Sequence, residues 1–348
     1  MGAINENDLK KAISSKTFSN SYLIYGDENY LKQHYVARMK KALVAKGTED
    51  FNLHVIDGKN AELSQIYQCA QALPLMSEYV CVVVNDFPLD KLTTSQKKEF
   101  SEFLSEISET TVLIFWMDNI NVDLKTSSWK TIVGYFTKYG DSVNLARRDV
   151  RSLCKMLCDG AKKRSCVLSP YNAEYMVSQV GNDLQTLLNE IEKLCAYVPQ
   201  GEITRDVIDK VVTKSIAAKA FDLSKALVRM DYESAYNILN NLLALKEEPI
   251  SILGAVSTAY IDLYRVKCAK IAGKQSTNVG KYYNYKGREF RLTNASRDCD
   301  KLSILQLRAS VDALLAADVK LKSSSVDARL VLEETMVKLL LIAKGEKI

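Results

Sequence analysis

Residues 22–33 combine residue types and a spacing that are typical of phosphate-binding loops. Gly26 follows a short apolar run that predicts a strand, and Lys32 lies six positions later in a basic helical segment. A working loop of the pattern G-x-x-x-x-G-K-S/T needs its second glycine to let the backbone wrap the phosphates and its hydroxyl to bind magnesium. Leu31 and Gln33 occupy those two positions here. The segment therefore predicts a degenerate loop that binds no nucleotide cofactor.

The same residues also fit an ordinary turn between a strand and a helix. In that alternative Asp27 or Asn29 caps the helix, and Lys32 lies on a solvated helix face. Asp27 and Glu28 would in either case place two negative charges near the start of the helix, where they repel an anion. The sequence leaves both interpretations open.

The remaining reactive residue types form no catalytic set and indicate no metal site. The two histidines, His34 and His54, lie outside any known nucleophile, base or zinc-protease motif. Eight cysteines are spread along the chain and are predicted to be reduced core residues: Cys69, Cys81, Cys154, Cys158, Cys166, Cys195, Cys268 and Cys299. A zinc site from Cys154, Cys158 and Cys166 is a less favoured alternative, because the chain lacks paired knuckle spacing.

Length and composition indicate a multidomain globular protein. The chain has 348 residues, of which 47% are hydrophobic and 26% charged, and a net charge of +5. This length predicts two or three domains, and the modest positive charge permits an acidic partner without implying one. The sequence contains neither an apolar run long enough to span a membrane nor a secretory signal at its start, so a cytoplasmic location is expected.

The first 146 residues alternate short apolar runs with helical periods, which predicts an α/β domain with a parallel sheet. Five strands are predicted, at residues 22–25, 51–56, 79–85, 111–117 and 142–145. The runs at 79–85 and 111–116 are almost continuously apolar, as expected for central strands that helices cover on both faces.

Two helical domains are predicted after the sheet, at residues 147–212 and 213–348. In the first, four helices are expected at residues 151–163, 173–179, 183–197 and 205–212. In the second, apolar stripes predict an antiparallel helix pair over residues 223–245 and two long final helices at 302–322 and 328–343. The β signal ends at Arg147, so both domains are expected to be all-helical.

The order of several segments resembles the delta-subunit family of bacterial DNA polymerase III. The segments that carry the resemblance are residues 22–28, 51–58, 73–77 with 82–84, 181–184 with 189–194, 221–223 and 317–322. The resemblance implies three domains: a degenerate AAA+-like domain, a small helical lid and a C-terminal helical collar that packs in a ring of subunits. It further implies a clamp-loader subunit that opens the sliding clamp and does not itself hydrolyse ATP.

The resemblance also bears on the strand that ends at Asn85 and Asp86. Phe87 follows where an ATPase would carry its activating glutamate, so no general base for hydrolysis is expected. This difference agrees with the substitutions at Leu31 and Gln33.

The resemblance implies a clamp-binding motif at Gln71, Leu73, Leu75 and Met76. Pro74 fixes φ and ends the preceding helix, so Leu75 and Met76 could project as adjacent apolar anchors. Methionine stands where the family usually has an aromatic residue. From the residues alone, a local core contact beneath the turn is the alternative.

Basic residues suggest two segments for DNA contact. One segment, at residues 281–291, interleaves tyrosines with Lys281, Lys286, Arg288 and Arg291, which suits stacking on single-stranded DNA. The other lies in the predicted lid and contains Arg147, Arg148, Arg151, Lys155, Lys162, Lys163 and Arg164. A solvated helix face with packed tyrosines is the alternative for the first segment.

The resemblance, together with the degenerate loop, implies a noncatalytic clamp-loader subunit of DNA polymerase III, which is a DNA-directed DNA polymerase and hence a nucleotidyltransferase complex. The implied partners are the sliding clamp (beta subunit), the gamma/tau motor subunits, delta prime and primed DNA. Two alternatives remain: a DNA-binding helical adaptor and an unusual P-loop ATPase that uses Lys32.

Overall fold

The computed structural model describes residues 2–285, 288–323 and 326–346. The chain forms two compact units, Met1–Arg147 and Arg148–Ile348, which are treated separately below. The predicted division of the second unit near residue 212 stays a prediction.

The first unit is built on one sheet of six parallel strands. The strands are β1 (Gly2–Ile4), β2 (Ser21–Tyr25), β3 (Leu53–Asp57), β4 (Val80–Asn85), β5 (Thr111–Trp116) and β6 (Asp141–Asn144). Their order across the sheet is β1-β6-β2-β5-β4-β3. The helices of this unit are α1 (Glu6–Ser15), α2 (Asn29–Leu43), α3 (Glu49–Asn52), α4 (Leu63–Ala70), α5 (Thr94–Glu106) and α6 (Ser127–Tyr139). The predicted α/β fold class is confirmed.

The apolar runs form the interior of the sheet, as predicted. Strands β4 and β5 each have a strand on both sides, and their side chains are almost all buried. One face packs against α4, α5 and α6 around Phe100, Phe115 and Phe136. Helices on both faces explain why these strands are apolar at every position rather than at alternate ones.

The prediction of five strands was wrong, because the sheet has a sixth strand at its edge. Strand β1 contains only three residues and pairs with β6, where the Gly2 N–H donates to the Gly140 carbonyl at 2.9 Å. Three residues are too few to produce a recognisable alternation. In addition, β3 begins at Leu53, because the residues just before it form the short helix α3.

The second unit is mostly helical. Its helices are α7 (Val150–Lys162), α8 (Pro170–Val180), α9 (Leu184–Tyr197), α10 (Arg205–Val211), α11 (Ile216–Val228), α12 (Tyr232–Ala244), α13 (Pro249–Ile271), α14 (Phe290–Asp298), α15 (Ile304–Ser323) and α16 (Ala328–Lys344). The four helices predicted after residue 150 are confirmed to within a few residues. The later helices share a core that includes Leu227, Tyr260, Leu314 and Leu339.

The prediction that this unit contains no strand was wrong. The strands β7 (Cys166–Val167) and β8 (Gly201–Glu202) form a small parallel pair beside the helices. Strands of two residues have no periodicity and therefore give no sequence signal.

The cysteines differ in part from the prediction. All eight are free, but Cys268 is exposed rather than in a core, and Cys69, Cys154 and Cys158 are only partly buried. Among the residues that the structure describes, no group of three or more histidine, cysteine or acidic side chains is placed to hold a metal ion. The same part of the chain contains no helix that is both long and apolar enough to cross a membrane.

Candidate functional site

Gly26 lies in the turn between β2 and α2 and is required there by close packing. Its φ is +119°, and a Cβ atom at this position would overlap the Leu145 carbonyl oxygen. The segment after β6 therefore occupies the space beside the glycine. Close contact within the protein accounts for Gly26 without any phosphate.

Lys32 is buried and its ammonium group binds backbone carbonyls. Only 2% of the residue is exposed, and Nζ donates hydrogen bonds to the carbonyls of Met117 at 2.5 Å and Asp118 at 3.3 Å. Burial lowers the pKa of Lys32, while the nearby carboxylates of Asp118 and Asp86 act in the opposite direction. The alternative that placed Lys32 on a solvated face is therefore wrong, and the ammonium is already engaged inside the unit.

The residues on either side of Lys32 differ in burial. Leu31 is buried in the core, whereas Gln33 is exposed on the other side of the helix. Helix α2 begins at Asn29 with Glu28 as its N-cap residue, so the caps predicted at Asp27 and Asn29 are wrong.

Asp86 follows β4 and binds the same loop as Lys32. Its buried carboxylate accepts hydrogen bonds from the backbone N–H groups of Asp118 at 2.8 Å, Asn119 at 2.9 Å and Ile120 at 3.2 Å, and from the Asn119 side chain at 2.7 Å. Burial alone would raise the pKa of Asp86, but these hydrogen bonds outweigh burial and lower it. The two charged groups that a nucleotide site would use, Lys32 and Asp86, therefore fasten one loop to the sheet.

The position of the missing glutamate is also occupied. Phe87 is buried, and its ring packs edge-on against Phe115 with 6.2 Å between ring centroids. The phenyl ring belongs to the core of the unit and supplies no base.

The segment after α4 presents three apolar side chains to solvent. Leu73 is 83% exposed, Leu75 is 50% exposed and Met76 is 87% exposed. Gln71 is the C-cap residue of α4 and is also exposed. The alternative of a local core contact for Leu75 and Met76 is not what the structure shows. We call residues 71–76 the apolar loop.

The backbone of the apolar loop is held although its side chains are exposed. The Leu75 N–H donates to Asn52 Oδ1 at 2.7 Å, and Asn52 Nδ2 donates to the Leu75 carbonyl at 2.8 Å. At the start of the loop, Thr111 Oγ1 donates to the Ala70 carbonyl at 2.9 Å. Met76 has a φ of +54°, a left-handed conformation that is uncommon for residues other than glycine.

Sequence reasoning did not identify Asn52. The contact joins positions 23 residues apart, so no local sequence pattern indicates it. In addition, Asn52 lies in a four-residue helix that is too short to predict.

The basic segment near residue 285 is partly committed to internal contacts. Arg291 donates to the buried carboxylate of Asp262 through Nε at 2.7 Å, and the Tyr285 hydroxyl donates to the same carboxylate at 2.5 Å. Lys281 and Arg288 are exposed, and Lys286 lies outside the described residues. DNA contact by these four residues stays a prediction, with Arg291 already holding the fold.

Family models and relatives of one subunit match most of the chain. The family model described as DNA polymerase III, delta subunit, matches residues 22–137, and a second model, for the C-terminal domain of the same subunit, matches residues 217–339. The DNA polymerase III subunit delta of Bacillus subtilis is 25% identical over 96% of each chain. The probable DNA polymerase III subunit delta of Aquifex aeolicus is 22% identical over 82% of this chain and 83% of its own.

A solved structure similar to this chain covers nearly its full length. The Bacillus subtilis DNA clamp loader delta protein superposes with a TM-score of 0.66 at 24% identity, covering 96% of this chain and 99% of its own. This likeness shows a shared fold. Since both family models describe the same subunit and together span more than half of the residues, the chain belongs to the DNA polymerase III delta subunit family.

Proposed function

We propose that this chain, a subunit of the DNA polymerase III clamp loader, binds the sliding clamp through its apolar loop and stabilises an opened form of the clamp. The observation that supports this is the exposure of Leu73, Leu75 and Met76 on a segment whose backbone is fixed. Exposed apolar side chains on an ordered loop are suited to fill an apolar pocket of a partner.

Opening of the clamp would follow from a higher affinity of the chain for the open form. A binding protein shifts a two-state equilibrium only by the difference between its affinities for the two states. The chain would therefore bind the open clamp more tightly than the closed one. Release would depend on the other loader subunits, for which the family suggests gamma/tau and delta prime, and loading would take place on primed DNA.

We propose further that the chain does no ATP chemistry of its own. Lys32 and Asp86 are both engaged by the loop at residues 117–120, and Leu31 fills the position of the second glycine. Polymerisation belongs to the DNA polymerase III complex of which this subunit is a component.

The proposal is tested by direct binding. The purified chain is passed over immobilised sliding clamp from the same organism, and association and dissociation are followed by surface plasmon resonance. A second surface carries a clamp variant that cannot close its ring. Saturable binding that is tighter on the open variant supports the proposal, and equal affinity for both forms contradicts the opening step.

Nucleotide is expected to leave the stability of the chain unchanged. A ligand that binds the folded state raises the melting temperature according to its concentration over Kd. With Lys32 and Asp86 engaged inside the unit, ATP with Mg²⁺ at millimolar concentration should cause no shift in thermal denaturation. The non-hydrolysable analogue and ADP serve as controls. A concentration-dependent rise in melting temperature would instead favour the alternative of an unusual P-loop ATPase.

A further inference from the structure

Asn52 is completely buried, and its side-chain amide is almost fully used by hydrogen bonds. Besides the two bonds to the Leu75 backbone, Nδ2 donates to the Thr48 carbonyl at 3.1 Å. An asparagine side chain has two donor hydrogens and one acceptor oxygen with two lone pairs, so only one lone pair lacks a partner among these bonds. The amide binds both the N–H and the carbonyl of Leu75, as the backbone of a paired strand would.

These bonds hold the loop near its C-terminal end. Pro74 has a fixed φ on one side of Leu75, and Met76 has left-handed backbone on the other. Asn52 thus holds the residue that lies between the fixed φ of Pro74 and the uncommon backbone conformation of Met76. Because it binds only backbone groups, it leaves the Leu75 and Met76 side chains available to a partner.

We propose that Asn52 is the positioning residue of the clamp-binding loop, and that it preorganises Leu75 and Met76 before the clamp is met. The inference rests on the proposed function. A loop that is ordered before binding avoids the entropy loss of ordering on the partner, and this saving appears directly as affinity. Without Asn52, the two anchors would remain chemically intact but would sample many orientations.

The test compares Asn52→Ala with the wild-type chain on immobilised clamp. Loss of the two bonds to Leu75 is expected to weaken binding by about tenfold. Asn52→Asp keeps the acceptor for the Leu75 N–H but turns a buried carboxylate oxygen toward the Leu75 and Thr48 carbonyls, so it should weaken binding at least as much as Asn52→Ala. Leu124→Ala, a change at a partly exposed apolar residue elsewhere in the same unit, is the control and should bind like wild type.

A second readout separates positioning from general destabilisation. In native-state hydrogen exchange, Asn52→Ala should lose protection at the Leu75 amide while the amides of β4 (Val80–Asn85) stay protected. Binding should also be non-additive: Met76→Ala should cost clearly less affinity in the Asn52→Ala background than in wild type, since a disordered loop already uses Met76 poorly.

The outcomes are distinguishable. No binding by wild type overturns the proposed function and this inference with it. Binding that is lost on changing Leu75 and Met76 but kept by both Asn52 variants overturns the inference alone. Equal loss of protection at Leu75 and throughout β4, with additive effects of Met76→Ala, would assign Asn52 a purely structural role and also overturn it.

Discussion

Replacing Leu75 and Met76 together with alanine is expected to weaken binding to the sliding clamp by about 100-fold or more. Fully burying one such side chain contributes roughly 1.5 to 3 kcal/mol. Met76 is almost completely exposed in the free chain and has most of this contribution available, whereas Leu75 is half covered already. Two adjacent anchors at the centre of an interface behave as a hot spot, so the combined loss is large.

The measurement is the dissociation constant from surface plasmon resonance, with Leu124→Ala as matched control. Both variants should keep the helical circular dichroism and melting temperature of wild type, because neither change reaches the core of the unit. Leu73→Ala should show a smaller loss in the same direction. An unchanged dissociation constant for the double variant would show that the apolar loop is not the clamp-binding site.

Asp86→Ala is expected to destabilise the first unit by about 3 kcal/mol. The change removes the acceptor of three backbone N–H groups in the loop at residues 117–120. It also removes a negative charge near the buried ammonium of Lys32. Urea unfolding followed by tryptophan fluorescence measures this unit by itself, because the two tryptophans of the chain, Trp116 and Trp129, both lie in it.

The control for this change is Asp50→Ala, which removes an exposed carboxylate of the same unit and should have little effect. A result for Asp86→Ala no larger than for Asp50→Ala would contradict the structural role of Asp86.

The contribution of Asp86 should also depend on pH. Its pKa is lowered on folding, so the stabilisation is complete above the unfolded-state pKa of about 4 and is lost as pH falls through the folded-state value. The difference in unfolding free energy between wild type and Asp86→Asn should therefore be constant near neutral pH and shrink below about pH 4. A difference that stays constant down to about pH 2 would show that the hydrogen bonds do not favour the ionised carboxylate.

The sequence predicted the fold where the signal was long and periodic. The runs that became β4 and β5 and the helices from α7 to α10 were located to within a few residues, since each carries its own hydrophobic pattern. The degenerate loop was predicted because Leu31 and Gln33 differ in type from the residues that chemistry requires. A residue type that a motif cannot accept is recognisable from the sequence alone.

What the sequence did not predict depends on contacts between distant positions. The burial of Lys32 required knowing that Met117 and Asp118 direct carbonyls at it, and the order of the apolar loop required Asn52. Lysine and asparagine are usually exposed, so composition argues against both placements. The short strands β1, β7 and β8 were missed for a different reason. A strand of two or three residues is too short to show a hydrophobic period.

The shared attachment of Lys32 and Asp86 to one loop has an evolutionary consequence. A descendant that acquired glycine at position 31 and threonine at position 33 would match the P-loop pattern in any motif search. Its lysine would nevertheless remain bound to the carbonyls of Met117 and Asp118, and its aspartate to the amides that follow. Freeing either charge would cost folding stability before any nucleotide could compensate, so selection for folding would oppose the gain of a nucleotide site. Charged residues at these positions can thus persist through many generations solely because the fold depends on them.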